Sequence, residues 1–190
     1  MKVTKAQAQE NRARIVEVAA ALFRERGYDG VGVAELMAAA GFTHGGFYKH
    51  FKSKADLMAE AAAFGLTQTA SESDGQAAIL EFIERYLSRK HRDSRSEGCT
   101  FAALCGDAAR QPDEIKATFA EELENRLTAA LARQSDATEA ERQQARAGLI
   151  TLFTQAMGAV MLSRAMPDDS PLADEILQVC REALLVRVTQ

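Results

Sequence analysis

The chain has 190 residues, 47% of them apolar, only three prolines and a formal net charge of −4. That apolar share supports a real core and excludes general disorder, and few prolines among many Ala, Leu, Glu and Arg residues point to an all-α protein. The acidic average, taken alone, argues against a nucleic-acid binder.

The average hides an asymmetry. Residues 1–55 carry nine Lys/Arg against five Asp/Glu, a net of +4, whereas residues 56–190 carry −8. A basic N-terminal third on an acidic body is an electrostatic footprint for a polyanion. The opening MKVTKAQAQENRARIV lacks the apolar centre of a signal peptide, and the three cysteines then suggest reduced thiols in the cytoplasm. Three scattered histidines offer no metal-ligand cluster, and no cofactor is expected.

The first predicted helix runs from about Ala8 to Arg26, with Ile15, Val18, Ala19, Leu22 and Phe23 on one face and Gly27 at its end. A short helix follows over about 33–40, with Leu36 and Met37 inward, then Gly41 as the turn. Thr43 is the natural N-cap of a third helix reaching about Phe51. Ser53 with Asp56 three residues on has the form of a capping box for a fourth helix through about Thr67. The polar tract Thr69 to Gln76 is a hinge, and helices are predicted near 76–91, 99–110, 112–133, 138–165 and 171–188. Pro112 and Pro171 stand where the first helical residue would be, each followed by acids that suit the helix dipole. The uncharged run Ala147 to Ser163 is marginal for a membrane span and reads as a buried helix of a soluble protein. The expectation is about nine helices.

Helix, short helix, glycine turn and short helix is the helix-turn-helix arrangement, whose last helix presents its N-terminal residues to the DNA major groove. This gives a reason for the adjacent Gly45 and Gly46 in FTHGGFYKHFKSK. Without Cβ atoms, backbone N–H groups approach phosphate or base edges closely. On spacing alone Thr43 and His44 reach bases, Tyr48 and Lys49 hold the backbone, and Lys54 stands at the start of the next helix. Tight helix packing is the competing explanation for the glycines.

The stretch AELMAAAGFTHGGFYKHFKSKADLM resembles the DNA-binding signature of the TetR/AcrR family of bacterial transcription regulators. Ala40, Gly41, Thr43, Gly45, Tyr48, His50, Phe51, Ser53, Lys54 and Leu57 fall on its fixed positions, and ALFRERGYDGVGV fits the upstream spacing. The specific match covers about residues 12–58. Gly32 departs from the family's usual Ser or Thr cap, and Phe42 from a small aliphatic residue. The resemblance implies an N-terminal three-helix DNA-binding domain (1–52), a connecting helix (53–68) and a C-terminal helical domain (69–190) for ligand binding and dimerisation. Tyr48 and Lys54 would then be phosphate contacts. Thr43, His44, Gly45, Gly46, Lys49 and His50 would form the recognition surface, with His44 and Lys49 best placed for base edges. His50 could equally pack against the fourth helix. Phe47 and Phe51 belong to the core, and Arg12 or Arg14 could add phosphate contacts.

The resemblance also implies a homodimer on a near-palindromic double-stranded operator and an unidentified small-molecule effector. Apolar stripes on the last two helices suit a dimer interface through Leu149, Leu152, Phe153, Val160, Ile176, Val179, Ala183 and Leu184. Pocket candidates are Phe82, Tyr86, Phe101, Leu104, Phe119, Phe153 and Met157, which are equally good core residues. Cys99 opens a helix downstream of Arg89, Lys90, His91, Arg92 and Arg95, a setting that favours thiolate. It resembles a subgroup of the family in which a cysteine there senses electrophiles. The rival reading from another class is a thiol enzyme using Cys99 and His91, for which no orienting third group is evident. The leading expectation is a cytoplasmic, nucleoid-associated, ligand-responsive repressor without catalytic residues.

Overall fold

The computed structural model describes residues 4–67, 75–132 and 138–189. The hinge expected from Thr69 lies, as far as residue 74, outside them, as does the loop expected at 134–137. Among the described residues the fold is all-α. Its elements are α1 (Lys5–Arg26), α2 (Val33–Ala39), a 3-10 helix (His44–Lys49), α3 (Lys54–Thr67), α4 (Gly75–Tyr86), α5 (Arg89–Asp93), α6 (Thr100–Ala108), α7 (Asp113–Leu131), α8 (Glu139–Ala165) and α9 (Pro171–Thr189).

Most boundaries follow from local chemistry. Thr4 caps α1 by accepting from the Gln7 N–H at 3.2 Å, and Gly27 closes it with φ at 76°, donating to the Phe23 carbonyl. Thr138 and Glu141 form a full capping box at the start of α8. Ser53 accepts from the Asp56 N–H at 3.1 Å as expected, but the Asp56 carboxylate takes the Lys52 N–H instead of that of Ser53.

Three expectations are corrected. The segment after Gly41 is a 3-10 helix over His44–Lys49, with Thr43 at its N-cap but making no side-chain cap bond. Two adjacent glycines raise the cost of an α-helical nucleus, and a short i→i+3 turn needs fewer fixed residues. The helix expected over 76–91 is divided between α4 and α5. Ser88 does this, donating to the Arg85 carbonyl at 2.7 Å and accepting from the His91 N–H at 3.1 Å. Pro112 precedes the first helical residue of α7, whereas Pro171 is the first residue of α9 as expected.

The described residues fall into two compact units, the first within 1–69 and 95–122, the second within 70–94 and 123–190. In the first, Ile15, Ala19 and Phe23 of α1 are buried with Leu36 and Met37 of α2, Phe47, Phe51, and Leu57 and Ala61 of α3. Burying such side chains contributes about 1.5–3 kcal/mol each. Helix α6 packs against α1 and α3 within this unit. Arg24 of α1 donates from Nε to the Ser96 carbonyl at 2.7 Å, and the Tyr28 N–H donates to Asp107 Oδ2 of α6 at 3.0 Å.

In the second unit α8 packs on α9, α4 on α9 and α5 on α8. Its polar centre is Arg92, 2% exposed, which donates to the Ser163 carbonyl and hydroxyl, the Met166 carbonyl, Asp93 and Asp168. A buried guanidinium is tolerable because each arm finds an acceptor. Helix α8 is long and apolar enough to cross a membrane by length and composition, yet one face of it, Leu152, Ala156, Ala159, Val160 and Ser163, is buried in the chain.

Candidate nucleic-acid interface

The 3-10 helix divides its side chains sharply. Phe47 and, just beyond it, Phe51 are buried, at 1% and 2% exposure, their rings 5.6 Å apart. Both were expected in the core. Thr43, His44, Gly45, Tyr48 and Lys49 are exposed, Tyr48 at 72%, and Gly46 and His50 are half-buried. The Tyr48 ring stands edge-on to Phe47 at 5.3 Å, so an exposed aromatic is braced by a buried one. His50 is centred 6.1 Å from Phe42 and 6.4 Å from Phe51, among aromatic neighbours of its own segment.

The two glycines have no steric reason inside the chain. A Cβ on Gly45 would meet nothing within 4 Å, and one on Gly46 would make ordinary contact with Met37 and Thr43. Neither has a positive φ, unlike Gly41 in the preceding turn at 86°. Helix packing, the competing explanation, therefore does not account for Gly45.

The cations around this surface differ in freedom. Arg12 pairs with Glu60 of α3 and lies over the Phe51 ring at 4.3 Å, so it is committed to the unit. Arg26 pairs with Glu35. Arg14 is exposed and reaches over the turn, its Nη2 3.6 Å from where a Gly41 Cβ would be. Lys52, exposed before α3, is a further cation that spacing overlooked; its only signal was charge beside the motif. Lys54 is half-buried and donates from Nζ to the Tyr28 carbonyl at 2.6 Å.

These features meet a known family. The model of bacterial regulatory proteins of the tetR family matches residues 15–61. A TetR transcriptional regulator from Chloroflexus aurantiacus J-10-FL superposes with a TM-score of 0.70 at 25% identity over 97% of both chains. Residues 15–61 thus match the DNA-binding region of the tetR family, and the described fold is similar to that of a TetR regulator. The chain's N-terminal region is 46% identical over 57 residues to the HTH-type transcriptional regulator AcrR of Shigella flexneri, covering 30% of this chain and 26% of that protein. It is 37% identical over 90 residues to the HTH-type transcriptional regulator TtgR of Pseudomonas putida, covering 44% of this chain and 42% of that protein. The chain thus spans less than half the length of the curated relatives it matches.

The remaining candidate residues fall in two groups. In the first unit Cys99, Phe101, Leu104 and Phe119 are buried, with the Phe101 and Phe119 rings edge-to-face at 5.6 Å. In the second, Phe82 lies 4.9 Å from Tyr86 and 6.1 Å from Phe153, while Phe153 and Met157 are half-buried. Tyr86 also stacks near His91 at 4.3 Å; His91 Nδ1 donates to the Tyr86 carbonyl at 2.8 Å, and burial keeps this imidazole's pKa below the usual range.

Cys99 is the N-cap residue of α6, 7% exposed. Two of the cations upstream of it are used elsewhere, Arg92 as above and Arg89 on Asp93 and Asp174, while Lys90 and Arg95 are exposed. Burial disfavours the charged form of Arg24, an effect that Cys99 and Glu97 partly offset. Arg24 is 75 positions upstream, and no local pattern links the two.

The expected interface residues on α8 and α9 also divide. Leu152, Val160 and Leu184 are buried within the chain, Leu149, Phe153 and Ile176 half-buried, and Val179 and Ala183 exposed. The outward stripe consists of Ile150, Met161 and Leu162 on α8 and Leu172, Val179 and Val186 on α9.

Proposed function

We propose that the chain is a dimeric, sequence-specific DNA-binding regulator, most simply a repressor released from its operator by a small molecule. The observation that carries this is the exposed surface Thr43, His44, Gly45, Tyr48 and Lys49, anchored by Phe47 and Phe51, with a glycine that nothing in the chain requires. In this reading His44 and Lys49 contact base edges, with Thr43, Gly45, Gly46 and His50 completing the recognition surface, and Tyr48 and Lys54 hold phosphates. Backbone N–H groups at Gly45 and Gly46 come close to the DNA because no Cβ intervenes. The functional division we propose is a DNA-binding domain over 1–52, a connecting helix over 53–68 and an effector and dimerisation domain beyond.

Dimerisation is supported by the unpartnered stripe on α8 and α9. Thr151 and Thr154 donate their hydroxyls to carbonyls of their own helix at 2.8 Å, which leaves that face with little polar demand. Gly158 is open to close approach, a Cβ there meeting nothing within 4 Å. Two copies pairing α8 and α9 would form a four-helix interface and set the spacing of two recognition segments about one DNA turn apart. An effector that shifted α3, and Lys54 with it, would change that spacing and weaken a site of fixed geometry. Such a protein acts in the cytoplasm, on the nucleoid.

Selection of binding sites from random duplexes tests the reading. A near-palindromic consensus is expected, with His44→Ala changing preference between sequences and Tyr48→Phe weakening all of them alike. Absence of any consensus would refute it.

A second reading keeps the regulator and makes Cys99 the sensor, favoured by its N-cap position on α6. If Cys99→Ser leaves electrophile-induced DNA release unchanged, this version is wrong. The thiol-enzyme reading is dropped: the chain's relatives are transcription regulators, and His91 is engaged by the Tyr86 main chain.

A further inference from the structure

The main chain of Tyr28 stands between two charged side chains. Its N–H donates to Asp107 Oδ2 of α6 at 3.0 Å, and its carbonyl accepts from Lys54 Nζ at 2.6 Å. The ring of Tyr28 is wholly buried, edge-on to Phe23 at 5.1 Å, so the side chain is anchored while the orientation of its peptide groups depends on their own hydrogen bonds.

The approach of Asp107 is a built feature. Gly27 takes φ at 76°, and a Cβ there would come within 2.5 Å of Asp107 Oδ2. The other carboxylate oxygen accepts from Arg110 at 2.9 Å, which fixes the orientation of the group. Lys54, at the first position of α3, has its ammonium 6.0 Å from the centre of the Phe23 ring. An ammonium has three protons; the Tyr28 carbonyl takes one and two remain for phosphate oxygens.

We propose that Asp107 is a positioning residue for DNA binding: through the Tyr28 main chain it holds Lys54 in the orientation that meets a backbone phosphodiester. The inference rests on the DNA-binding reading above. A free lysine side chain loses rotamer freedom when it grips a phosphate, whereas one already tied to a fixed carbonyl has lost much of it beforehand. Releasing the Tyr28 N–H frees that carbonyl to turn. Asp107 belongs to α6, more than fifty positions beyond Lys54, and touches none of the residues of the recognition surface.

The test is a double-mutant cycle on the full chain, with a random-sequence duplex as probe and affinity measured over a series of salt concentrations. Lys54→Met is expected to reduce the slope of log K against log salt by about 0.9 for each phosphate it ceases to neutralise. Asp107→Ala is expected to weaken binding about three- to tenfold and to move the slope in the same direction. In the Lys54→Met background, Asp107→Ala should then change affinity by less than about twofold. Asp107→Asn keeps an acceptor for the Tyr28 N–H and should bind like the unaltered protein. If the alanine variant does not fold, Asp107→Ser, too short to reach the amide, replaces it. Additive losses in the double variant, or full affinity of the alanine variant while Lys54→Met binds weakly, would overturn the positioning role and leave the DNA-binding reading standing. An unchanged slope in Lys54→Met would overturn the phosphate contact itself, and the positioning role with it.

Discussion

Arg12 lays its guanidinium over the ring of Phe51, 4.3 Å from its centre, while its Nε donates to Glu60 at 3.2 Å. The side chain of Arg12 therefore clasps α1 to α3 and to Phe51, just beyond the 3-10 helix. Stacking and an ion pair of this exposure contribute together about 1–2 kcal/mol. Arg12→Ala should lower the free energy of unfolding by about that amount, by urea denaturation, with little effect on the salt slope of DNA binding. Arg14→Ala should do the reverse: stability within about 0.5 kcal/mol of the unaltered protein, and a shallower salt slope.

The glycines separate in the same way. Gly27 has a positive φ and faces Asp107 so closely that a Cβ has no room. Gly27→Ala should cost about 1–3 kcal/mol of stability, seen as a lowered thermal midpoint. Gly45→Ala has open space and no positive φ, so its thermal midpoint should hold or rise slightly, since alanine restricts the unfolded chain. Its affinity for the operator should nevertheless fall, because the new methyl group meets only the DNA.

Alkaline pH should loosen the first unit. Burial, and then the neighbouring Cys99, pushes the Cys105 thiol from 9.0 to about 11. Burial, then Asp107 and Cys105, also raises the Tyr28 phenol. The folded state thus holds protons that the unfolded chain releases, so stability is full below pH 9 and is lost as pH rises toward 11. The urea midpoint should decline through that window, and Cys105→Ala should flatten part of the decline. An unchanged slope in the variant would assign the effect elsewhere.

On α8 and α9, Leu162 and Val179 are 58% and 57% exposed in the single chain. A charge at either position should leave helicity intact and dissociate the proposed dimer, since an ion buried between apolar helices has no partner. Leu162→Glu and Val179→Glu should sediment as monomers and bind the operator far more weakly than the unaltered protein. Leu152→Glu, by contrast, should unfold the chain, because Leu152 is buried within it.

The division of residues 43–54 into buried and outward side chains was legible in the sequence because its logic is local. Thr43, Gly45, Tyr48 and Lys54 lie within a dozen positions, and helical spacing alone turns Phe47 and Phe51 inward. What was not legible joins distant positions. Tyr28 meets Asp107 across 79 residues, Arg24 meets Ser96 across 72 and Arg12 meets Glu60 across 48. No periodicity announces that α6 packs with α1 and α3, nor that Arg24 comes near Cys99. The stripes of α8 and α9 were legible as apolar but not in phase. Leu152 and Val160 point inward while Ile150 and Leu162 point outward, and a helix apolar on both sides gives no sign of which face its own chain covers.

The most direct test of sequence-specific DNA binding is fluorescence anisotropy with the DNA immediately upstream of the protein's own coding region. A scrambled duplex of equal length serves as reference, and both are titrated over a salt series. The account predicts tighter binding to the natural sequence, by at least about a thousandfold at physiological salt, and affinity that falls steeply and linearly on logarithmic axes as salt rises. Equal affinity for the upstream DNA and its scrambled reference, or affinity indifferent to salt, would contradict it.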